Sequence, residues 1–357
     1  MSDLEIPHGT PICIKSHIKD TVTEAFANGC GGICLSRKDF YSLNFQEVNS
    51  PIVTRGLNKL FNIKWFLDSK NKKLNYYLID TGYMGNDVKK RYHRVTRNSL
   101  QVSKVIKRPN DRALSMPDFY PKPWKYNGKK ILLCPPSEKS LKFFLYCSNG
   151  ASDEDAISYQ ECVDRWIEET VKEIRKFSDR EIKIRRKPRC RNERTKINTF
   201  KECVLDDIFA TVTFNSIVAV ESIINGVPAF VCAENAASPM SLPDLSRIER
   251  PIYPKRLEWI NHLSYSQFTV EELFNGTAWK ILHNTETKKE LKRRIKKRNQ
   301  KKKNNESFKK WCKKRKSYKN SNVNSEFKEV LSEESLKTNL KVQEENEDFL
   351  KILNDQI

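Results

Sequence analysis

One stretch, residues 207–231, constrains the fold more than any other. It reads as strand, turn, short helix, turn, strand. Phe209 to Thr213 is a continuous apolar and β-branched run, as expected of a strand buried on both faces of a parallel sheet. Asn215 or Ser216 can cap the helix that follows, leaving its first backbone N–H groups to face a ligand. Gly226 supplies the left-handed residue that ends that helix, and Pro228 stands two positions beyond. A strand that feeds a helix N-terminus through a short polar turn makes an anion site. Glu221 is the one carboxylate on an otherwise apolar helix, and burying it requires a partner.

The same alternation of strand and helix runs through the rest of the chain. Pro11 to Ser16 reads as a strand, Asp20 to Asn28 as a helix ending at Gly29, and Ile33 to Leu35 as the next strand. Pro51 to Thr54 leads through Arg55-Gly56 into a helix from Leu57 to Ser69, and Leu74 to Ile79 is a further strand closed by Asp80-Thr81-Gly82. Four prolines between Lys107 and Lys129 mark a connecting segment. Beyond it come a strand at Ile131 to Cys134, a helix at Tyr159 to Phe177, a strand at Glu181 to Arg185 and then the opening stretch. Thr269 to Glu272 is a capping box. The expected fold class is α/β, two tandem Rossmann-like domains at 1–125 and 126–287, the second with closing helices, and a charged tail at 288–357 that is disordered or helical.

Charge separates the tail from the body. The chain of 357 residues carries a net +21. Residues 288–319 hold 18 Lys and Arg against 2 Glu, a net +16, whereas residues 320–357 are net −5. Such a composition cannot bury enough apolar surface to fold alone. Its basic run points to nucleic acid or another polyanion as a partner. No apolar run approaches a membrane span, and the start lacks the regions of a secretory signal. Ten cysteines without a Cys-x-x-Cys pair read as reduced thiols in a cytoplasmic protein, with no metal site.

Thr213-Phe214-Asn215-Ser216 followed by 220–228 resembles the donor-site signature of GT-B glycosyltransferases of the polysaccharide type. The 182–188 stretch resembles the basic strand end that precedes it in those enzymes, with Lys where many relatives have His. The arrangement is also similar to uncharacterised glycosyltransferase-like proteins of phage and marine genomes. The resemblance implies a metal-independent transferase without a cofactor, which takes a nucleotide-sugar as co-substrate. It would work in an interdomain cleft on a glycan or a modified DNA base.

That reaction needs groups that neutralise a departing diphosphate. Ser137, Lys139, Arg185, Lys187, Asn215 and Ser216 are the candidates, with Glu221 near donor hydroxyls. Inversion needs a base for the acceptor hydroxyl. His17, oriented by Asp20, is one candidate; Asp80, at the carboxyl end of a strand, is another. Arg55, His93 and Arg94 are acceptor-side candidates. Helix caps, solvated strand ends and turn-forming residues are the ordinary alternatives for each. Two other functions fit the same sequence: a nucleic-acid-binding protein whose tail is the working part, and a sugar-nucleotide epimerase of the same architecture.

Overall fold

The computed structural model describes residues 9–41, 43, 48–56, 66, 68–85, 92–102, 104–137, 140–141, 159–186 and 204–283. Lys139, Lys187, most of the helix expected from Leu57 to Ser69 and the whole tail lie outside the described residues.

Strands β1 (Ile12–Ile14), β2 (Ile33–Leu35), β3 (Ile52–Arg55) and β4 (Tyr76–Thr81) form a parallel array in the spatial order β2-β1-β3-β4. β5 (His93–Arg97) runs antiparallel on β4. A second sheet is wholly parallel. It contains β6 (Lys130–Cys134), β7 (Glu181–Ile184), β8 (Ile208–Thr213) and β9 (Ala229–Val231), ordered β7-β6-β8-β9. The two parallel arrays thus share one topology. In each, the first strand sits beside both the second and the third, so the connections leave it in opposite directions. Every residue of β8 is buried, as its unbroken apolar run requires.

Helix α1 (Thr21–Cys30) covers the first sheet, with Asp20 accepting a hydrogen bond from the Thr23 amide as its cap. The sequence places its end at Gly29, yet the helix continues to Cys30 and is closed by Gly31 at φ +68°. Gly29 serves packing instead. A Cβ there would meet the Leu273 carbonyl oxygen at 1.9 Å.

α2 (Arg37–Tyr41) follows β2, and α3 (Asp111–Leu114) lies in the connecting segment. α4 (Tyr159–Arg175) precedes β7, and α5 (Val218–Ile224) follows β8 and ends at Gly226, φ +81°. α6 (Leu257–Ser264) then leads to β10 (Gln267–Phe268), which returns to pair antiparallel with β5. The chain therefore crosses between the sheets twice. α7 (Val270–Phe274), opened by the expected Thr269–Glu272 capping box, and α8 (Thr277–His283) pack with α1. These are the helices that the sequence reading grouped with the second domain, and they cover the first sheet.

The proline-rich connection is also more than a spacer. Ala113, Met116 and Phe119 share one core with Tyr83 and Tyr92 from the first sheet's rim, with α5 residues Ala219, Val220 and Ile223, and with Trp259 and Leu263 of α6. The Lys122 amide donates to the Ile224 carbonyl at 2.8 Å, and Arg256 bridges the Lys122 and Ile223 carbonyls. Among the described residues, no helix is long and apolar enough to cross a membrane.

Candidate functional site

The point where connections diverge from a parallel sheet leaves a crevice at the carboxyl ends of its strands, and ligands of open α/β sheets gather there. In the first sheet this crevice lies between β1 and β3. Asp20 is fully buried in it. Its carboxylate accepts from the Ser16 amide at 2.8 Å, the Ser16 hydroxyl at 2.7 Å, the Thr23 hydroxyl at 2.8 Å and Arg55 Nη1 at 2.8 Å. Burial by itself would raise its pKa. The Arg55 guanidinium and the Ser16 and Thr23 hydrogen bonds outweigh that and hold it at about 2.

A carboxylate so saturated does not take a proton near neutral pH. Nor is it bonded to the ring of His17, which stands exposed at the tip of the β1–α1 connection. The expected His17–Asp20 pair is replaced by an Arg55–Asp20 pair. Sequence proximity suggested the first, and the parallel register of β1 with β3 produces the second, because it places Arg55 one residue beyond Thr54, the partner of Ile14.

The other candidates of the first half gather along the same rim. Arg94, buried at the start of β5, faces Asp80 across the ladder and donates to its carboxylate at 2.8 Å and to the Thr81 carbonyl at 3.2 Å. Asp80 remains 40% exposed. His93 is buried beside Thr81. Arg55, Asp80, His93 and Arg94 thus share one edge, on which Arg55 pairs with Asp20 and Arg94 with Asp80.

In the second sheet the crevice lies between β6 and β8. The Thr213 hydroxyl donates to the Cys134 carbonyl at 2.7 Å, tying the two strand ends together. Ser140 donates to Asn215 Oδ1 at 2.8 Å across the gap, and the Ser137 hydroxyl accepts from the Ser140 amide. Asn215, Ser216 and Ser137 are all half-buried on this edge.

The helix start differs from expectation. α5 begins at Val218, and the Ser216 hydroxyl accepts the Val218 amide at 3.3 Å. The Ser216, Ala219 and Val220 amides are also satisfied within the chain. The amide ends expected to face a ligand are therefore largely occupied, and side chains carry the polar character of this crevice.

Arg185 extends the β6–β7 pairing, its amide donating to the Leu133 carbonyl at 2.9 Å. Arg185 and Glu221 both act on the buried Cys134 thiol at the end of β6. Burial pushes that thiol up to about 12, Arg185 opposes the rise and Glu221 adds to it. The electrostatics thus place a cation and a carboxylate near the same strand end.

Asn235 was not legible as a site residue. It is buried and donates to the Ser216 carbonyl at 2.9 Å, fixing that turn from the loop after β9. The same loop carries exposed Glu234. Tyr83, beyond β4, has its pKa raised by burial first, and the negative charge of Glu234 is among the lesser causes. With the core shared by Tyr83, Tyr92 and α5, this brings the carboxyl edges of the two sheets near one another.

No family model matches the chain, and no curated protein matches its sequence. Among solved structures it is similar to the β-Kdo 2,7-transferase of Thermosulfurimonas dismutans KpsC, with a TM-score of 0.42 and 12% identity over 75% of this chain and 98% of that one. It is also similar to the β-Kdo 2,4-transferase of the same organism's KpsC, with a TM-score of 0.38 and 13% identity over 73% of this chain and 92% of that one.

Proposed function

We propose that this chain is a nucleotide-sugar-dependent glycosyltransferase of GT-B type, with the donor on the second sheet's edge and the acceptor on the first. The observation that carries the reading is the repeated topology: two parallel arrays of the same strand order, each with polar side chains at its divergence point. The departing diphosphate is neutralised by Arg185, with Asn215, Ser216 and Ser137 as hydrogen-bonding partners; Lys139 and Lys187 lie close to these residues in sequence. Glu221 binds donor hydroxyls. His17, exposed after β1, is the general base. Arg55 and Arg94, held by Asp20 and Asp80, line the acceptor side. The protein acts in the cytoplasm.

The test is a thermal-shift screen of nucleoside diphosphate sugars, followed by a transfer assay with the donor that binds. A selective rise in Tm names the donor through linkage. No shift with any donor would remove the proposal. Consumption of the donor without an acceptor would identify an epimerase. The net +16 of residues 288–319 favours a polyanionic acceptor. Removing residues 288–357 is expected to abolish salt-sensitive nucleic-acid binding while donor binding persists.

A further inference from the structure

Three thiols meet where β1, β2 and the end of α1 come together. Cys13 lies opposite Cys34 in the parallel register of β1 with β2, so both side chains leave the sheet on one face. That face is the one covered by α1. Cys30, the last residue of α1, brings its sulfur down onto the same face. It donates weakly to the Ala27 carbonyl at 3.5 Å and accepts a hydrogen bond from the Cys13 thiol. Gly32 makes room for it, since a Cβ there would sit 3.0 Å from the Cys30 sulfur.

The three environments differ. Cys13 is fully buried, and burial and its bond to Cys30 raise its pKa well above the usual thiol range. Cys34 is pushed up to about 11, chiefly by burial. Cys30 is half-buried and lowered, first by the Cys13 thiol that donates to it and also by the Gly32 amide, against the opposing effect of burial. Reactivity follows thiolate character and access: Cys30 and Cys34 are both half-buried, Cys13 is shut away, and thiolate character favours Cys30 over Cys34. No group of His, Cys, Asp and Glu among the described residues is arranged to hold a metal ion, and the proposed sugar transfer uses none of these thiols.

We propose that Cys30 is a peroxide-sensitive thiol that closes a reversible disulfide with Cys13. The Cys30 thiolate attacks one oxygen of hydrogen peroxide, the O–O bond breaks, and sulfenic acid and hydroxide form. The Cys13 sulfur then attacks the Cys30 sulfur and displaces its hydroxyl. The Cys13 proton leaves with that hydroxyl as water. Two thiols lose two electrons in all, and one peroxide becomes two waters. The bond ties the end of α1 to the centre of β1, the strand that runs directly into the Ser16–Asp20 cluster. A transient disulfide of this kind suits a reducing compartment.

The test uses the full chain, treated with hydrogen peroxide, alkylated, and digested with trypsin without reduction. Cleavage after Lys15, Lys19 and Arg37 leaves Cys13 in peptide 1–15 and keeps Cys30 and Cys34 together in peptide 20–37. The expected product is these two peptides joined, lighter by two hydrogen atoms, and separated by dithiothreitol. It persists in Cys34→Ser and disappears in Cys30→Ser. The wild-type map is informative even if a variant fails to fold. A bond within peptide 20–37, a join that survives Cys30→Ser, a bond from Cys30 to any other cysteine, or no oxidation of Cys30 would each overturn the proposal.

Discussion

Arg112 grips Glu272 with both ends of its guanidinium, at 2.6 and 3.2 Å, although 160 residues separate them in sequence. Both side chains are more than nine-tenths buried. Arg112 also donates to the Ser264 carbonyl at 2.9 Å and the Gln267 carbonyl at 2.8 Å. It thereby joins the connecting segment to the place where the chain returns to the first sheet. Arg112→Met leaves a buried carboxylate without its cation and should cost about 3–5 kcal/mol, read by urea denaturation. Adding Glu272→Leu should recover much of the loss, which separates the pair from simple packing.

Asp20 should matter to acid stability. Its folded pKa of about 2 lies below the ordinary 3.8, so its contribution is present above that ordinary value and is lost as pH falls toward 2. The size is on the order of 2 kcal/mol. Asp20→Asn is expected to lower stability at pH 7 by about that amount and to flatten the pH dependence below pH 4. An unchanged acid profile would contradict the ion pair with Arg55.

His262 works in a different pH window. Burial first, and the nearby Arg108 charge second, lower its pKa from 6.5 to about 4, while its Nδ1 accepts the Ile106 amide at 3.2 Å. The folded state resists a proton that the unfolded chain accepts. Stability is therefore full above pH 6.5 and declines as pH falls toward 4, by on the order of 3 kcal/mol. His262→Leu should remove this slope in a Tm-against-pH series, although it also loses the Ile106 hydrogen bond.

Gly29→Ala places a methyl group against the Leu273 carbonyl and the Gly276 backbone. Neither is a flexible side-chain end, so α1 must move away from α7 and α8. A loss of about 1–3 kcal/mol is expected, and calorimetry would show it. The same change at an exposed helical glycine would stabilise.

Arg185→Ala and Glu221→Gln address the donor side. Each should lower sugar transfer about a hundredfold or more, with circular dichroism and Tm little changed. Full activity in both would remove these residues from the site, whatever the reaction proves to be.

The parallel layers were legible because their signals are local. β8 announces itself through six consecutive buried residues, and Gly226 and the Thr269–Glu272 box mark helix ends by their own chemistry. What escaped is non-local. Gln267–Phe268 is too short to show strand alternation, and its place depends on the free edge of β5. Arg55 found Asp20 through sheet register, not through sequence spacing. The polar rim between β6 and β8 came out of the motif at 213–216, whereas Asn235, which pins the Ser216 carbonyl, lies in a loop with no pattern of its own.

The second crossing has a consequence for dissecting the molecule. A fragment that stops after β5 would keep five strands of the first sheet but lack β10, α7 and α8. The hydrogen-bonding groups of β5 and the aromatic faces of Phe26 and Tyr77 would then meet water, an invitation to self-association. Excising the amino-terminal half as a free-standing unit therefore means grafting residues 267–283 back onto it.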